Sequence, residues 1–397
     1  MINKAVILAG GKGSRLGSIV ENTPKPMLEV AGKPFIFYLI RQLSAYSIKE
    51  IYILTGYKSN VFEKYIKNLN FQNIKINIVK EGKPLGTGGA LKNFFKKNLF
   101  KERILVMNGD AYIDLNLHET IYKNESNYDI QIIGTNAPPG NHRYGEIVYD
   151  INQKRVIGFK EKDNNPQSNI INSGFYIVNN QKLISSYQND IFSLEDTFFP
   201  DQAFKNNIGI KIINNQFFLD IGVPESLDLS QTTIDKPKKC LFLDRDNTIN
   251  FDSGYTYKKS DLRFTPRIKE IIKYAKTQDF LIIVVTNQSG IGRNYFTKDD
   301  LWSFHYHMQS YLIKQDINID SLYYCPHLPD DTKCQCRKPK AGLVNDIMKD
   351  WNIDLQKSIF IGDSKVDKEF ACNANIGKFY FINEIEKHKD IKIFFNN

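Results

Sequence analysis

Short apolar runs alternate with amphipathic stretches along most of the chain. The runs of strand length fall at residues 5–8, 51–54, 104–107, 241–243, 281–285 and 358–361. Between them, residues 35–46 and 268–277 carry apolar side chains at helical spacing. This rhythm predicts α/β architecture with mostly parallel sheets.

One polar stretch interrupts the alternation, since residues 229–239 (LSQTTIDKPKK) offer few side chains for a core. The chain has 397 residues, more than one compact core usually accommodates. We therefore expect two domains, residues 1–230 and 239–397, joined by a linker at residues 231–238. The sequence has no fixed-period repeat, which excludes a hexapeptide solenoid.

Composition narrows the class of protein. Hydrophobic residues make up 42% of the chain and charged residues 24%, which predicts a folded, soluble protein. The longest apolar runs, such as residues 280–285, fall well short of the roughly 20 residues that cross a bilayer. The apolar start at residues 1–8 runs directly into glycines, so we expect a first strand and not a signal peptide. These features predict a cytoplasmic protein with no membrane partner.

The chain is basic, with 53 Lys and Arg against 44 Asp and Glu and a formal net charge of +9. The lysines are scattered and form no dense basic tract, which argues against a nucleic-acid partner. Phosphorylated small molecules would suit such a surface equally well.

A glycine-rich turn follows the first predicted strand, which ends at Leu8. Residues 10–16 read GGKGSRL, and a backbone free of side chains can bring N–H groups against phosphates. The turn lacks the Gly-Lys-Ser/Thr ending of a P-loop, and Leu16 occupies the third-glycine position of the dinucleotide fingerprint. It therefore predicts a nucleotide site of neither of these two kinds.

Further motifs follow this turn in a fixed order. They are TPKPM at 23–27, KPLGTGGA at 83–90, NGD at 108–110, RYG at 143–145, FKEK at 159–162, NSGFY at 172–176 and DIGVPE at 220–225. Their order and spacing resemble the sugar nucleotidyltransferases, across about residues 3–230. The PLGTGGA and DIGVPE segments look most like the guanylyltransferases of mannose-type sugars, in particular those of D-glycero-D-manno-heptose 1-phosphate.

That resemblance implies a reaction in which a sugar 1-phosphate attacks the α-phosphorus of GTP. Both reactants are anions, so the reaction needs cations and a metal ion. By resemblance, Asp110 and Asp220 hold Mg²⁺, and Arg15 and Lys25 stabilise the triphosphate and the departing pyrophosphate. The implied nucleotide contacts are Leu8, Gly10, Gly11, Gly13, Gly88 and Asp110. The implied contacts to the sugar and its phosphate are Gly145, Glu161, Lys162 and Asn172.

In the second half, the strand at residues 241–243 is followed by Asp244-Arg245-Asp246-Asn247-Thr248. Residues two apart in an extended segment face the same way, so both carboxylates can reach one substrate. Such a pair suits a nucleophile beside a proton shuttle. Later segments add a hydroxyl, cations and further acids: VVTNQSG at 284–290, RKP at 337–339, IGD at 361–363 and Asp367.

This set resembles the haloacid-dehalogenase-type phosphatases, across about residues 238–385. Four cues look specifically like the heptose 1,7-bisphosphate 7-phosphatases, with the histidinol-phosphate phosphatases as near relatives. The cues are DRDNTIN, GY at 254–255, VVTNQSGIGR, and YYCPH followed by CQCRKP. The expected fold is a Rossmann-like nucleotidyltransferase domain followed by a Rossmann-like phosphatase domain with a zinc loop.

The phosphatase resemblance implies an aspartyl-phosphate route. Asp244 is the implied nucleophile, and Asp246 protonates the leaving oxygen and later deprotonates water. The other implied roles are phosphoryl binding by Thr286 and Lys338, Mg²⁺ binding by Asp244, Asp246 and Asp363, and substrate contact by Asn287 and Arg337. Asp367 is expected to orient Lys338 or the metal shell.

Two positions depart from the family pattern. Asn247 stands where glycine is usual, and we expect a tolerated turn because asparagine adopts positive φ more readily than other non-glycine residues. Ser364 stands where a basic residue might contact substrate, which affects substrate preference more than catalysis.

Three of the five cysteines fall beside a histidine. Cys325-x-His327 and Cys334-x-Cys336 offer four ligands from one loop, enough to close a tetrahedral Zn²⁺ shell. A closed shell predicts a structural zinc that stiffens the loop presenting Arg337 and Lys338. Cys240 and Cys372 are expected in the core. His305 and His307, two apart on a helix, are expected to face different directions and not to act as ligands.

The two implied reactions are consecutive, because removal of the 7-phosphate from the heptose bisphosphate leaves the 1-phosphate that GTP would activate. The sequence thus favours one bifunctional enzyme making GDP-heptose for surface polysaccharide, with GTP and heptose phosphates as small-molecule substrates. Two alternatives stay open. One joins a mannose 1-phosphate or other sugar nucleotidyltransferase to a histidinol-phosphate-type or other sugar phosphatase, and the other is a catalytically silent sugar-nucleotide-binding regulator.

Overall fold

The computed structural model describes residues 2–45, 48–69, 71, 74–114, 126–138, 144–160, 169–214 and 216–395. The chain divides into two units, one of residues 1–44 and 48–234, the other of residues 45–47 and 235–397. The division after Ile234 lies within residues 231–238, of which the first three continue a helix.

The described part of the first unit contains thirteen strands and six α-helices, besides short 3₁₀ and π turns. The strands are β1 (Lys4–Ala9), β2 (Glu29–Val30), β3 (Lys33–Pro34), β4 (Glu50–Thr55), β5 (Lys75–Lys80), β6 (Ile104–Asn108), β7 (Ala111–Ile113), β8 (Ile130–Asn136), β9 (Glu146–Asp150), β10 (Arg155–Lys160), β11 (Ile170–Val178), β12 (Ile208–Ile213) and β13 (Phe218–Asp220). The helices are α1 (Phe35–Ser44), α2 (Ser59–Lys67), α3 (Gly86–Lys97), α4 (Gln181–Ser185), α5 (Phe199–Phe204) and α6 (Pro224–Thr233).

The main sheet of this unit is mixed. Its order is β5-β4-β1-β6-β11-β8-β12-β10-β9, and the pairings from β5 to β6 are parallel. Beyond β6, strand β11 runs antiparallel to both β6 and β8, and β9 and β10 form an antiparallel pair. The expectation of a mostly parallel sheet is therefore wrong for this half. Residues 151–154 between β9 and β10 are too few for a parallel crossover, which needs about a dozen.

Strand β1 runs through the centre of the parallel part, and its buried residues explain its continuous apolar sequence. Val6 and Leu8 pack with Phe94 of α3 in the core. Because β1 and β6 are parallel, with Leu8 opposite Asn108, the glycine-rich turn and the NGD segment leave the same edge of the sheet. This edge carries the candidate site of the first unit.

The described part of the second unit contains five strands and six α-helices, besides short 3₁₀ turns. The strands are β14 (Cys240–Leu243), β15 (Leu281–Asn287), β16 (Ser321–Cys325), β17 (Ile359–Gly362) and β18 (Lys378–Phe381). The helices are α7 (Ile268–Thr277), α8 (Ser289–Gly292), α9 (Lys298–Ile313), α10 (Gly342–Asp350), α11 (Lys365–Asn373) and α12 (Ile382–Lys387). The sheet order is β16-β15-β14-β17-β18 and every pairing is parallel, as expected.

Both faces of this sheet are covered by apolar side chains. Leu241 and Leu243 pack into one core, and Cys240 and Phe242 pack into a second core. Alternation along a strand separates the two sets, so β14 reads as an unbroken apolar run. Leu243 lies opposite Val284 and Ile361, which brings the ends of β14, β15 and β17 to one edge of the sheet.

Other expectations can be checked on the helices. His305 is buried in α9 whereas His307 is exposed, which confirms that they face different directions. Cys240 is buried as expected, but Cys372 is exposed on α11, so its placement in the core was wrong. Among the described residues, no helix combines the length and the apolar character needed to span a bilayer.

Candidate active sites

Two adjoining cavities lie at the carboxyl edge of β1 and β6. The larger is about 880 Å³ and the smaller about 270 Å³. Both are lined by Arg15, Lys25, Asn108, Asp110 and Gly222. The predicted cations and an acid thus lie where the two cavities meet.

Lys25 and Asp110 form an ion pair in which Lys25 Nζ lies 2.5 Å from Asp110 Oδ2. Lys25 begins a short 3₁₀ turn, Lys25–Met27, directly after Pro24, whose fixed φ sets the direction of the chain. The side chain of Lys25 is only 13% exposed, so its charge lies in the cavity and not in bulk water. Its charge is well placed for a phosphate.

Asp220 reaches the same cavity by a long-range strand pairing. Strand β13 pairs antiparallel with β7, placing Asp220 opposite Ala111, and Ile221 N–H donates to the Asp110 carbonyl at 3.0 Å. Asp220 Oδ1 accepts from Gly222 N–H at 2.6 Å. Asp110 and Asp220 therefore line one cavity, as two ligands of a shared Mg²⁺ must.

The glycine-rich turn forms part of the smaller cavity. Leu8, Gly11 and Gly13 line it, and Gly13 has φ 67°, a left-handed conformation that favours glycine. Gly10 is not among the lining residues. It is half-buried, and a Cβ there would lie 2.7 Å from the carboxylate of Glu81, whose side chain would have to move.

Gly88, expected along the base, is not among the residues that line the two cavities. It is buried, its N–H donates to the Phe192 carbonyl at 3.0 Å, and a Cβ would lie 2.1 Å from the Phe192 ring. Close packing of α3 on Phe192 thus accounts for the glycine. Thr87, its neighbour, lines the smaller cavity instead.

Two of the expected sugar contacts line the larger cavity. Gly145 and Asn172 are both there, and Asn172 is fixed by donating to the Tyr176 hydroxyl at 3.1 Å and accepting from Gly174 N–H at 2.9 Å. Glu161 and Lys162 lie outside the described residues.

Sequence reasoning missed Glu195, which also lines the larger cavity. Its carboxylate accepts from Thr87 Oγ1 at 2.9 Å, Asn108 Nδ2 at 3.2 Å and the Tyr176 hydroxyl at 3.1 Å. Burial and the charge of Glu195 raise the pKa of Tyr176 well above its ordinary value. Glu195 belongs to no motif, and the preceding Ser193 indicates only the start of a helical turn.

In the second unit, Asp244 follows β14 and meets Lys338. Lys338 Nζ donates to Asp244 Oδ1 at 2.6 Å, to Asp367 Oδ1 at 2.6 Å and to the Val285 carbonyl at 2.9 Å. The side chain of Lys338 is 4% exposed. The expectation that Asp367 orients Lys338 therefore agrees with this contact.

Three carboxylates converge beside this lysine. Oxygen atoms of Asp244, Asp363 and Asp367 lie within 4.8 Å of one another. Burial raises the pKa of Asp244 to about 7 and, with the charge of Asp367, raises that of Asp363 to about 6. Burial opposes ionisation of Asp367 too, but Lys338 and Ser364 hold its pKa below the ordinary value. A cation with oxygen ligands, such as Mg²⁺, fits this donor set.

The carboxylate of Asp246 does not join this group. Its two oxygens accept hydrogen bonds from the side chains of Arg245 and Gln288. The side chain of Asp246 is therefore not part of the carboxylate cluster that could hold a metal ion.

Three further residues were expected to belong to this site, namely Thr286, Asn287 and Arg337. Thr286 is buried at the end of β15 and accepts from Gln288 Nε2 at 2.9 Å. Asn287, expected to contact substrate, uses its amide on the main chain of Lys338, donating at 3.2 Å and accepting at 3.0 Å. Arg337 donates to the His327 carbonyl at 3.3 Å. Asn287 thus holds Lys338 in place.

The two departures from the family pattern have structural explanations. Asn247 has φ 55°, which confirms the expected left-handed turn, and its Oδ1 accepts from Asp252 N–H at 2.9 Å. Ser364 caps α11, and its hydroxyl and N–H both bond the Asp367 carboxylate. Ser364 therefore serves to fix Asp367.

The four predicted zinc ligands meet at one point. Cys325 Sγ lies 3.4 Å from His327 Nδ1 and 3.5 Å from Cys334 Sγ, and Cys336 Sγ lies 3.3 Å from His327 Nδ1 and 3.5 Å from Cys334 Sγ. A tetrahedral zinc with Zn–S bonds of about 2.3 Å requires sulfur atoms about 3.8 Å apart, so the set fits. Burial raises the pKa of Cys325, which disfavours a thiolate there unless a cation compensates it.

The chain resembles known proteins over both units. Residues 4–234 match the family described as nucleotidyl transferase, and residues 228–385 match polynucleotide kinase 3 phosphatase. A D-glycero-alpha-D-manno-heptose-1,7-bisphosphate 7-phosphatase of Campylobacter jejuni is 42% identical over 159 residues, which are 40% of this chain and 91% of the relative.

A D-glycero-alpha-D-manno-heptose 1-phosphate guanylyltransferase from the same organism is 36% identical over 222 residues, covering 56% of this chain and 96% of the relative. The crystal structure of HddC from Yersinia pseudotuberculosis complexed with GMP-PN is 34% identical, with a TM-score of 0.52, and covers 58% of this chain and 98% of that one. The chain therefore belongs to the nucleotidyl transferase family, and a haloacid-dehalogenase-type phosphatase domain follows its transferase domain.

Proposed function

We propose that this chain is a bifunctional enzyme of GDP-heptose synthesis. Its second domain removes the 7-phosphate of D-glycero-α-D-manno-heptose 1,7-bisphosphate, and its first domain transfers GMP from GTP to the resulting 1-phosphate. The observation that carries the proposal is that one chain matches, almost over their full lengths, two relatives whose named substrates are consecutive. GDP-heptose would then serve surface polysaccharide.

For the phosphatase, Asp244 is the nucleophile and attacks phosphorus as the bond to the sugar oxygen breaks. Asp246 donates the proton that this oxygen takes up, then accepts one from the water that cleaves the aspartyl-phosphate. Lys338 and Thr286 neutralise and bind the transferring phosphoryl group. Asp244, Asp363 and Asp367 would hold Mg²⁺, which adds positive charge at the phosphorus centre.

For the transferase, an oxygen of the sugar 1-phosphate attacks the α-phosphorus of GTP and pyrophosphate leaves. Lys25 and Arg15, which line both cavities, neutralise the triphosphate. Leu8, Gly11 and Gly13 approach the nucleotide, while Gly145 and Asn172 contact the sugar and its phosphate. Asp110 and Asp220 would hold Mg²⁺, which would supply positive charge against the phosphates.

The proposal predicts the product of a single reaction mixture. Heptose 1,7-bisphosphate, GTP and Mg²⁺ incubated with the chain should give GDP-heptose, inorganic phosphate and pyrophosphate, identified by mass spectrometry. Parallel mixtures with mannose 1-phosphate, histidinol phosphate and the other nucleoside triphosphates report the choice of sugar and base. A clear preference for any of these over the heptose substrates or GTP would contradict the proposal.

We also propose that Cys325, His327, Cys334 and Cys336 hold a structural zinc. Elemental analysis should find about one zinc per chain. Cys336→Ser should lose most of the zinc and lower phosphatase kcat/KM about tenfold or more, because the loop that presents Lys338 loses its anchor. Transferase activity should persist.

The matched control is Cys372→Ser, which changes an exposed cysteine outside the cluster. It should keep both the zinc and the phosphatase rate. Purified chain that lacks zinc yet has full phosphatase activity would contradict the proposed zinc site.

A further inference from the structure

The arginine between the two aspartates of the phosphatase site is fully buried. Arg245 is 0% exposed, and its guanidinium lies 5.1 Å from the centre of the Phe304 ring. A buried arginine is costly unless its charge is paired. Its ionic partner is Asp246, the proposed acid and base.

The contact between them is bidentate. Arg245 Nε donates to Asp246 Oδ1 at 2.9 Å, and Nη2 donates to Oδ2 at 2.9 Å. The planar guanidinium thereby fixes the rotation of the carboxylate as well as its position. Nη2 also donates to the Thr256 carbonyl at 2.8 Å, which anchors the guanidinium itself.

A second residue, which follows β15, holds the same carboxylate. Gln288, 3% exposed just beyond β15, donates from Nε2 to Asp246 Oδ2 at 2.8 Å and to Thr286 Oγ1 at 2.9 Å. The side chain of Asp246 nevertheless remains 22% exposed, so a substrate oxygen can approach it. The carboxylate is fixed from two elements and open to solvent.

We infer that Arg245 and Gln288 are positioning residues that orient Asp246 for proton transfer to the leaving oxygen. Proton transfer requires the carboxylate within about 2.6–3.2 Å of that oxygen, and an aspartate free to rotate would meet this condition only part of the time. The inference rests on the proposed phosphatase function. A purely structural role, in which Arg245 only holds the segment leading to Thr256, makes a different prediction.

The difference appears when the leaving group is varied. A sugar phosphate has a poor leaving group that needs a proton, whereas 4-nitrophenyl phosphate has a good one that does not. In both cases kcat/KM covers the steps up to departure of the leaving group, so the later hydrolysis of the aspartyl-phosphate does not enter. Asp246→Asn shows the effect of removing the proton donor altogether, and we expect it to lower kcat/KM for the sugar phosphate about 10²–10⁴-fold.

Arg245→Lys keeps the charge but not the two-pronged contact. We expect kcat/KM for heptose bisphosphate to fall about tenfold or more and that for 4-nitrophenyl phosphate to change by less than about threefold. Gln288→Met also removes a contact to Thr286, so it should lower both values but that for heptose bisphosphate more, and it carries the test if Arg245→Lys does not fold. Arg267→Lys, which alters a bidentate contact to Glu270 elsewhere in the same unit, should change neither value.

Equal losses on the two substrates in these variants, or no loss on either, would overturn the inference in favour of a structural role. If the unmodified chain hydrolyses neither substrate, the proposed phosphatase function itself fails and the inference fails with it. Assays of the unmodified chain therefore distinguish failure of the positioning inference from failure of the proposed phosphatase function.

Discussion

Asp244→Asn is expected to lower phosphate release from heptose 1,7-bisphosphate by a factor of about 10⁴ or more, because the attacking carboxylate oxygen is replaced by an amide that forms no stable phosphoryl intermediate. Transfer of GMP to heptose 1-phosphate should be unaffected in the same preparation. Phosphate release and GDP-heptose formation, measured separately, check both statements.

The same variant allows a direct test of the covalent route. After reaction with substrate labelled at the 7-phosphate, acid quenching should leave label on the unmodified protein and none on Asp244→Asn. Asp299→Asn, an exposed aspartate of α9, is a control in the same domain and should retain both label and rate. Undiminished phosphate release by Asp244→Asn would refute the assignment of the nucleophile.

Asp110→Asn is expected to lower GMP transfer about a thousandfold. The carboxylate is the ion-pair partner of Lys25 and, with Asp220, the proposed holder of Mg²⁺ between two anionic reactants. Without it, Mg²⁺ would bind less tightly and its positive charge would no longer offset the repulsion between the two phosphates. Phosphate release by the second domain should continue, and the heptose 1-phosphate it makes should accumulate.

Asp228→Asn is the control for this variant, since Asp228 is exposed on α6 in the same domain. GMP transfer should be unchanged in it. A transfer rate of Asp110→Asn within a few-fold of the unmodified chain, at saturating Mg²⁺, would show that Asp110 is not part of the metal site.

The sequence predicted the candidate sites best where an apolar strand leads directly to polar residues. The strands that lead to Asp110, Asp244 and Thr286 are buried, and each pairs parallel with at least one neighbour, so their ends could be placed at a sheet edge in advance. The cluster of Cys325, His327, Cys334 and Cys336 could be predicted for a similar reason, because all four residues lie within one short segment.

Contacts between residues that are far apart in the chain could not be predicted from the sequence. A glycine needed for close contact with Phe192 and a glycine needed beside a nucleotide look the same in a sequence, so the packing of Gly88 could not be predicted from it. The polar contacts of Asn287 depend on a partner 51 residues away, and those of Glu195 on a partner 108 residues away. Local periodicity gives no information about such partners.

The pairing of β7 with β13 has a consequence for anyone who wants to cut or transplant the transferase. Its two acids are contributed by distant segments and are brought to one cavity by that short antiparallel ribbon. A fragment that ends before β13 would retain the glycine turn and Lys25 but would lack half of the acidic pair. Transferring the motif loops to another scaffold would therefore preserve their sequences but not the relative positions of Asp110 and Asp220.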